Sequence, residues 1–189
     1  MTPEAKRKIS HWFILLVPFF YIFFLSQKTV LLLLAIVMST VIIFELLRLK
    51  NEKLNQKLLK FFDGIYRETE AKNVSTLIFT LSGIFFTVLF FEKEIALLAI
   101  FFLTFGDGFA ALVGEKYGKH KIFRKKSWVG VATNLLTCLF VGIIFSFFTD
   151  IKFSQIFFGS LAATVIELLP VKDNFVIPII SAFVVKLLK

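Results

Sequence analysis

Apolar residues run along this chain in blocks separated by short polar joints. Seven blocks stand out, at 9–26, 29–47, 74–91, 95–114, 128–149, 153–169 and 175–188. Each approaches the roughly 20 apolar residues that a membrane-spanning helix requires. Only Gln27 and Lys28 separate the first two, which predicts a helical hairpin. The stretch 51–73 has a different rhythm. Leu54, Leu58, Phe61, Phe62 and Ile65 recur there at helical spacing, with Lys53, Lys57 and Lys60 between them. That pattern predicts an amphipathic helix lying in the membrane interface. The expected fold is all-α: one integral membrane domain over 1–189, a polytopic bundle of about seven transmembrane helices, plus the interfacial helix.

Composition agrees with the pattern. The chain is 58% hydrophobic, with 27 Phe and a mean hydropathy of +0.85, well beyond the roughly 45–50% apolar content of soluble domains. The one cysteine, Cys138, lies inside an apolar run and leaves no disulfide framework. Basic residues precede the first apolar run but no small-residue cleavage site follows it, so that run is expected to stay as a helix. A net charge of +9 would suit nucleic acid. In a chain this apolar it suits an anionic membrane surface or a phosphate ligand better.

The basic residues also set an orientation. Three precede the first run, seven lie from Arg48 to Lys72, six from Lys116 to Lys126, and Lys172 follows, 17 on one set of alternate joints. The other set holds Lys28, Lys93, Lys152, Lys186 and Lys189, which is 5. The positive-inside rule then places the N-terminus in the cytoplasm and the C-terminus outside. The Asn73-Val74-Ser75 sequon falls on the cytoplasmic side and is discounted.

Polar side chains inside the apolar runs carry the chemistry. A carboxylate at mid-bilayer costs about 2.5–3.5 kcal/mol, so such residues face a bundle interior or a cavity. On the fourth run Asp107, Ala110, Ala111 and Gly114 share one helical face; Phe101, Phe105, Phe109 and Leu112 line another. Gly106 and Gly108 flank the acid and leave room for a ligand. Other runs carry small polar seams: Thr76, Thr80, Gly83 and Thr87; Gly130, Asn134, Cys138 and Gly142; Ser160, Ala163, Thr164 and Glu167. Seams of this kind are mostly helix packing. Glu167 stands out because it ends its helix just before Pro170, where the helix dipole disfavours an anion. It requires a cation or a proton. Glu45 and Arg48 form an i, i+3 pair that reads as a snorkelling ion pair. His11 sits beside Arg7 and Lys8, and Asp173-Asn174 opens the last helix. The expected topology puts the N-terminus, Arg48, the basic loop, Glu167 and Asp173 on the cytoplasmic side, with Asp107 about two turns above the cytoplasmic end of its helix.

Asp107, Glu167 and Asp173 offer hard oxygen ligands of the kind Mg²⁺ takes together with substrate phosphates. The basic loop, with Lys119, Lys121, Lys125 and Lys126, and the helix start at Ser127–Gly130 offer phosphate contacts. Phosphoryl transfer needs little beyond positioning, metal and charge neutralisation. Other chemistries lack their parts. Two histidines and one buried cysteine make no zinc site. The segment Gly114–Lys119 fails as a P-loop in spacing and lacks the Ser/Thr after its Lys, and no GxSxG or GxGxxG occurs.

At GDGFAALVGEKYGKHKI (106–122), KKSWVG (125–130) and ATVIELLPVKDNFVIP (162–178) the chain resembles the CTP-dependent lipid-alcohol kinases: dolichol kinase, phytol kinase and the yeast-type diacylglycerol kinase. RKISHW (7–12), Pro18 and the Glu45…Arg48 pair extend the resemblance toward the N-terminus. The resemblance implies a multi-helix membrane fold and transfer of the CTP γ-phosphate to the hydroxyl of a polyprenol, phytol-type alcohol or diacylglycerol. It implies Asp107 as a Mg²⁺ ligand, Lys126, Ser127 and Gly130 as the nucleotide-phosphate segment, and Glu167, Asp173 and Asn174 as a second acidic cluster. Among the carboxylates Glu167 is the candidate acceptor of the hydroxyl proton, and Lys126 the catalytic cation. Two positions depart from the family pattern. Val129 stands where relatives often have an acid, and Ser82-Gly83 where they often show Thr-Gly-Gly. A related cytidylyltransferase that makes CDP-lipid from a lipid phosphate is the nearest alternative, although its usual C-terminal signature is replaced here by Asp173-Asn174. A non-enzymatic transporter of anionic solutes would use the same basic mouth, but no internal repeat supports it.

Overall fold

The computed structural model describes residues 7, 12–62, 66, 68–123 and 126–189. Among them, seven long helical segments coincide with the seven apolar runs. A 3-10 turn, Trp12–Leu15, leads into α1 (Leu16–Phe23). Then come α2 (Gln27–Lys50), the short α3 (Glu52–Phe61) and α4 (Thr76–Phe90). The next rod, Lys93–Tyr117, consists of α5 (Lys93–Phe101), a π-helical turn (Phe102–Asp107) and α6 (Gly108–Tyr117). Two short strands, β1 (Lys121–Phe123) and β2 (Lys126–Ser127), pair antiparallel. The chain closes with α7 (Trp128–Ser146), α8 (Phe153–Leu168) and α9 (Asp173–Leu187).

Small polar residues at the joints start these helices. Ser26 Oγ accepts from the Thr29 amide at 3.2 Å, and Asn51 Oδ1 from the Leu54 amide at 3.1 Å. Each cap satisfies one of the orphan donors a helix start exposes.

The rod 93–117 is the centre. Ile95 to Ile100 are all buried, and α4, α7 and α9 pack around it. The outer faces are apolar instead. Phe13, Phe23, Phe24, Ile36, Phe140, Phe147 and Phe148 are all exposed. A bundle with a filled interior and a hydrocarbon exterior is one whose solvent is lipid, so this is an all-α membrane helix bundle.

Contacts sort into two ends, as successive antiparallel helices demand. At one end Gln27 Nε2 donates to the Val88 carbonyl at 2.6 Å, Lys93 Nζ to the Ile22 carbonyl at 3.2 Å, and Lys189 pairs with Glu92. At the other end lie Glu45 and Arg48, the β-hairpin, Glu167 and Asp173.

The Glu45–Arg48 pair does not snorkel. Arg48 is 0% and Glu45 2% exposed. Arg48 Nη2 donates to Glu45 Oε2 at 2.7 Å and to the Asn73 carbonyl at 3.0 Å. Its Nη1 donates to Asn55 Oδ1 at 2.7 Å and to the Glu70 carbonyl at 3.1 Å. Glu45 accepts further bonds from the Ser75 amide at 3.0 Å and the Tyr66 hydroxyl at 3.2 Å. Glu70 in turn accepts from the Thr76 amide and hydroxyl. The pair is therefore the hub of a buried network that ties α2, α3 and the loop after it to the start of α4. The guanidinium's fixed fork of donors suits it to collecting several loop carbonyls.

The interfacial helix takes the expected form in α3, where Leu54 and Leu58 are half-buried and Lys53, Lys57 and Lys60 are exposed. Ile65, the last residue of its expected stripe, lies outside the described residues.

A candidate active site at one mouth of the bundle

Asp107 closes the π-helical turn at the middle of the central rod and is 5% exposed. Such turns are rare and concentrate at functional sites. Its neighbours Ala110 and Gly114 are buried on the same side, while Phe109 is exposed, as their spacing predicts. The flanking glycines serve differently from the expectation. A Cβ added to Gly106 would stand 2.6 Å from Cys138 Sγ, and one on Gly108 would stand 2.8 Å from Trp12 Nε1. The space beside the acid is taken by the protein's own side chains.

On α7, Cys138 Sγ lies 3.5 Å from Asn134 Oδ1, which accepts from Thr164 Oγ1 of α8 at 2.9 Å. This buried seam fixes α8 against α7 directly behind the acid-bearing turn, and it aligns Glu167 one turn further along α8. Glu167 is 3% exposed.

The cation that Glu167 requires comes from β2. The hairpin that follows α6 turns the chain back, so that Lys126 Nζ stands 2.8 Å from Glu167 Oε1 and 3.5 Å from Asp173 Oδ2. Burial pulls the Lys126 pKa down. The negative charges of Asp107, Glu167 and Asp173, with the hydrogen bond to Glu167, more than offset this and hold it above its ordinary value. Asp173 opens α9, where the helix dipole favours an anion, and its Oδ1 accepts from the Asn174 amide at 3.0 Å.

Three carboxylates and one ammonium, expected from separate runs of sequence, thus converge in one electrostatic cluster. The remaining expected site residues are placed otherwise. Ser127 caps α7, its Oγ accepting from the Gly130 amide at 3.2 Å. Gly130 forms the α6–α7 crossing: a Cβ on it would meet the Ala110 carbonyl at 3.2 Å. Asn174 is buried, its Nδ2 donating to Thr80 Oγ1 of α4 at 3.0 Å. Lys119 is exposed at the end of α6. Lys121 has its backbone in β1, while its side chain, together with Lys125 and His11, falls outside the described residues.

Two features escaped sequence reasoning. The β-hairpin has only three residues in one strand and two in the other and no turn dipeptide, and the π-helical turn has no signature beyond the glycines that flank Asp107.

No family profile matches the chain, and no solved structure matches it. Relatives do. An uncharacterized protein of Rickettsia prowazekii is 31% identical over 185 residues, covering 93% of this chain and 90% of the other. The CTP-dependent diacylglycerol kinase 1 of Saccharomyces cerevisiae is 28% identical over 104 residues, 52% of this chain and 36% of that protein. A probable chloroplastic phytol kinase 2 of Glycine max is 31% identical over 121 residues, 54% of this chain and 41% of that protein. The match thus spans well under half the length of these two kinases. Over about half its length, then, this chain is similar to CTP-dependent diacylglycerol kinase and to phytol kinases.

Proposed function

We propose that this protein transfers the γ-phosphate of CTP to the hydroxyl of a membrane lipid alcohol, either an isoprenoid alcohol of the phytol or polyprenol type or diacylglycerol. The observation that carries the reading is the Lys126 ammonium held between Glu167 and Asp173 in the field of Asp107, at one mouth of a membrane bundle. An ammonium and several carboxylates in one partly dry site are what a transferring phosphoryl group and its counter-ion need.

The donor set is compatible with Mg²⁺. Asp107, Glu167 and Asp173 present hard oxygens only. Among the described residues no three His, Cys, Asp or Glu side chains gather closely enough to hold a metal ion by themselves, so one or two of these carboxylates would hold Mg²⁺ together with phosphates and water. When bound, Mg²⁺ would neutralise charge on the nucleotide phosphates. The chain's residues do the rest. Lys126 exchanges a carboxylate partner for a phosphate oxygen. A carboxylate of the cluster, Glu167 foremost, receives the proton of the lipid hydroxyl as that oxygen bonds to the γ-phosphorus and CDP departs. Lys119, Lys121 and Lys125 of the basic loop draw the nucleotide in from the aqueous side.

The bias of basic residues toward this mouth supports an orientation with the site facing the cytoplasm and the helices crossing the membrane in alternation. A reporter fused after Lys189 tests it, and a cytoplasmic signal would overturn it.

The activity test uses purified protein in detergent with γ-labelled CTP, Mg²⁺ and separate pools of isoprenoid alcohol and diacylglycerol. Label in one pool with CDP released supports the kinase and names the substrate class. Pyrophosphate release on supplying lipid phosphates, without lipid label, would replace the kinase by a cytidylyltransferase.

A further inference from the structure

We infer that the groove between the first helix and the central rod is the seat of the acceptor lipid's hydrocarbon tail; this rests on the lipid-kinase reading above. The groove measures about 550 Å³, within the roughly 300–1,000 Å³ usual for ligand sites. Trp12, Phe13, Leu16, Phe19 and Phe23 form one wall and Phe101 and Phe105 the other. Apart from the Trp12 indole N–H these walls are hydrocarbon and aromatic, so along their length they suit an apolar chain.

Three observations make the occupant the acceptor's tail rather than any bilayer lipid. First, the groove has a polar end and that end is the site. The Trp12 ring packs on Phe109 with centroids 5.5 Å apart, and its Nε1 would be 2.8 Å from a Cβ on Gly108, the residue after Asp107. A chain lying in the groove therefore brings its head group to the residue next to the buried acid. Second, the direction is right. The wall from Trp12 to Phe23 rises about 16 Å, away from the mouth that holds Lys126 and toward the opposite end, where Lys93 reaches the Ile22 carbonyl. An interfacial Trp at one end and Phe at the other is the polarity of an alcohol with its tail in hydrocarbon. Third, among the described residues the Trp12 indole N–H is buried and meets no acceptor. A buried donor left so costs about 1–3 kcal/mol. A small rotation of the indole would offer it to a hydroxyl or phosphate oxygen at the groove's head.

The test is photolabelling in phosphatidylcholine vesicles, which reads binding whether or not phosphate is transferred. Two probes carry a diazirine at the tail end, one a 20-carbon isoprenoid alcohol and the other a diacylglycerol. The expected result is label on 13–23 and on Phe101 or Phe105 with one of the probes, removed by the unlabelled alcohol of that class. Leu16→Trp should lower that competable label about tenfold and raise KM for the lipid with KM for CTP unchanged. Phe140→Trp, on the far lipid-facing surface, should do neither. Label that is spread over the exposed phenylalanines and resists both competitors would mean bulk lipid only and would overturn the inference. Competable groove label without lipid phosphorylation would keep the tail site and remove the kinase.

Discussion

Lys126 and Glu167, forty-one positions apart, meet at 2.8 Å. One sits on a two-residue strand and the other ends a membrane helix, so the contact joins the basic loop to the bundle. It also explains how an acid survives at the end of a helix whose dipole opposes it.

Removing the ammonium should therefore expose that cost. Lys126→Met leaves Glu167 buried without this cation, and a buried pair broken on one side typically costs about 3–5 kcal/mol. The double variant Lys126→Met with Glu167→Gln should regain most of the lost thermal stability in detergent and none of the phosphotransfer. Equal melting temperatures for wild type and K126M would refute the pairing.

The same contact has a pH signature. Lys126 is held above its ordinary 10.5. A raised cation stabilises fully below its unfolded-state pKa and loses the contribution as pH climbs through the raised value. Stability from this group should be flat from neutral pH to about pH 10 and fall above it. Lys126→Arg, which stays charged, should hold its melting temperature further into the alkaline range. Parallel decline of the two proteins would show that another group sets the limit.

Asp107→Asn should lower phosphotransfer by at least about a hundredfold while leaving detergent-extracted protein monodisperse and melting within a few degrees of wild type. The residue is buried on the small-residue side of the rod, and the amide is isosteric, so packing is kept and charge is lost. Turnover near the wild-type value would remove Asp107 from the site.

Gly83 holds α9 against α4. A Cβ there would stand 2.8 Å from the Asn174 carbonyl and 2.9 Å from that of Phe175. These are backbone atoms that cannot swing aside, so Gly83→Ala should cost about 1–3 kcal/mol. It should also pull Asp173 away from Lys126, raising KM for CTP. An unchanged melting temperature in a stability scan would show that α9 yields freely.

Arg48→Met should cost about 3–5 kcal/mol and release the segment after α3. Limited proteolysis reads this directly: new cleavage within 62–75 is expected, and protection equal to wild type would deny the network its role.

The helices were legible because lipid leaves few choices. Every backbone polar group inside the bilayer must bond within its own segment, so apolar runs of the right length become helices. Asp107 and Glu167 were legible for the same reason, since each is expensive where it stands, whereas Asp173, a partly exposed acid at a helix start, was legible only as one more hard oxygen beside them. The fate of Ser127, Gly130 and Asn174 was not. A serine before a helix reads equally as an anion site or a cap, and a buried asparagine reads equally as a ligand or a bridge. The structure shows the cap at Gly130 and the bridge to Thr80. The Glu45–Arg48 pair was legible as a pair, but its carbonyl partners on Glu70 and Asn73 lie 22 and 25 residues from Arg48, beyond any local pattern.

The wide turn that ends on Asp107 amounts to one extra residue's worth of slack in an otherwise regular rod. An uninterrupted α-helix turns about 100° per residue. Taking one residue out between Phe102 and Gly106 would let the rod close as plain α-helix with α6 facing much as before, whereas taking one out of α5 with the wide turn kept would swing the acid, and every residue of α6 with it, by about that angle. The chemistry of this mouth depends as much on how many residues precede Asp107 as on which residues they are.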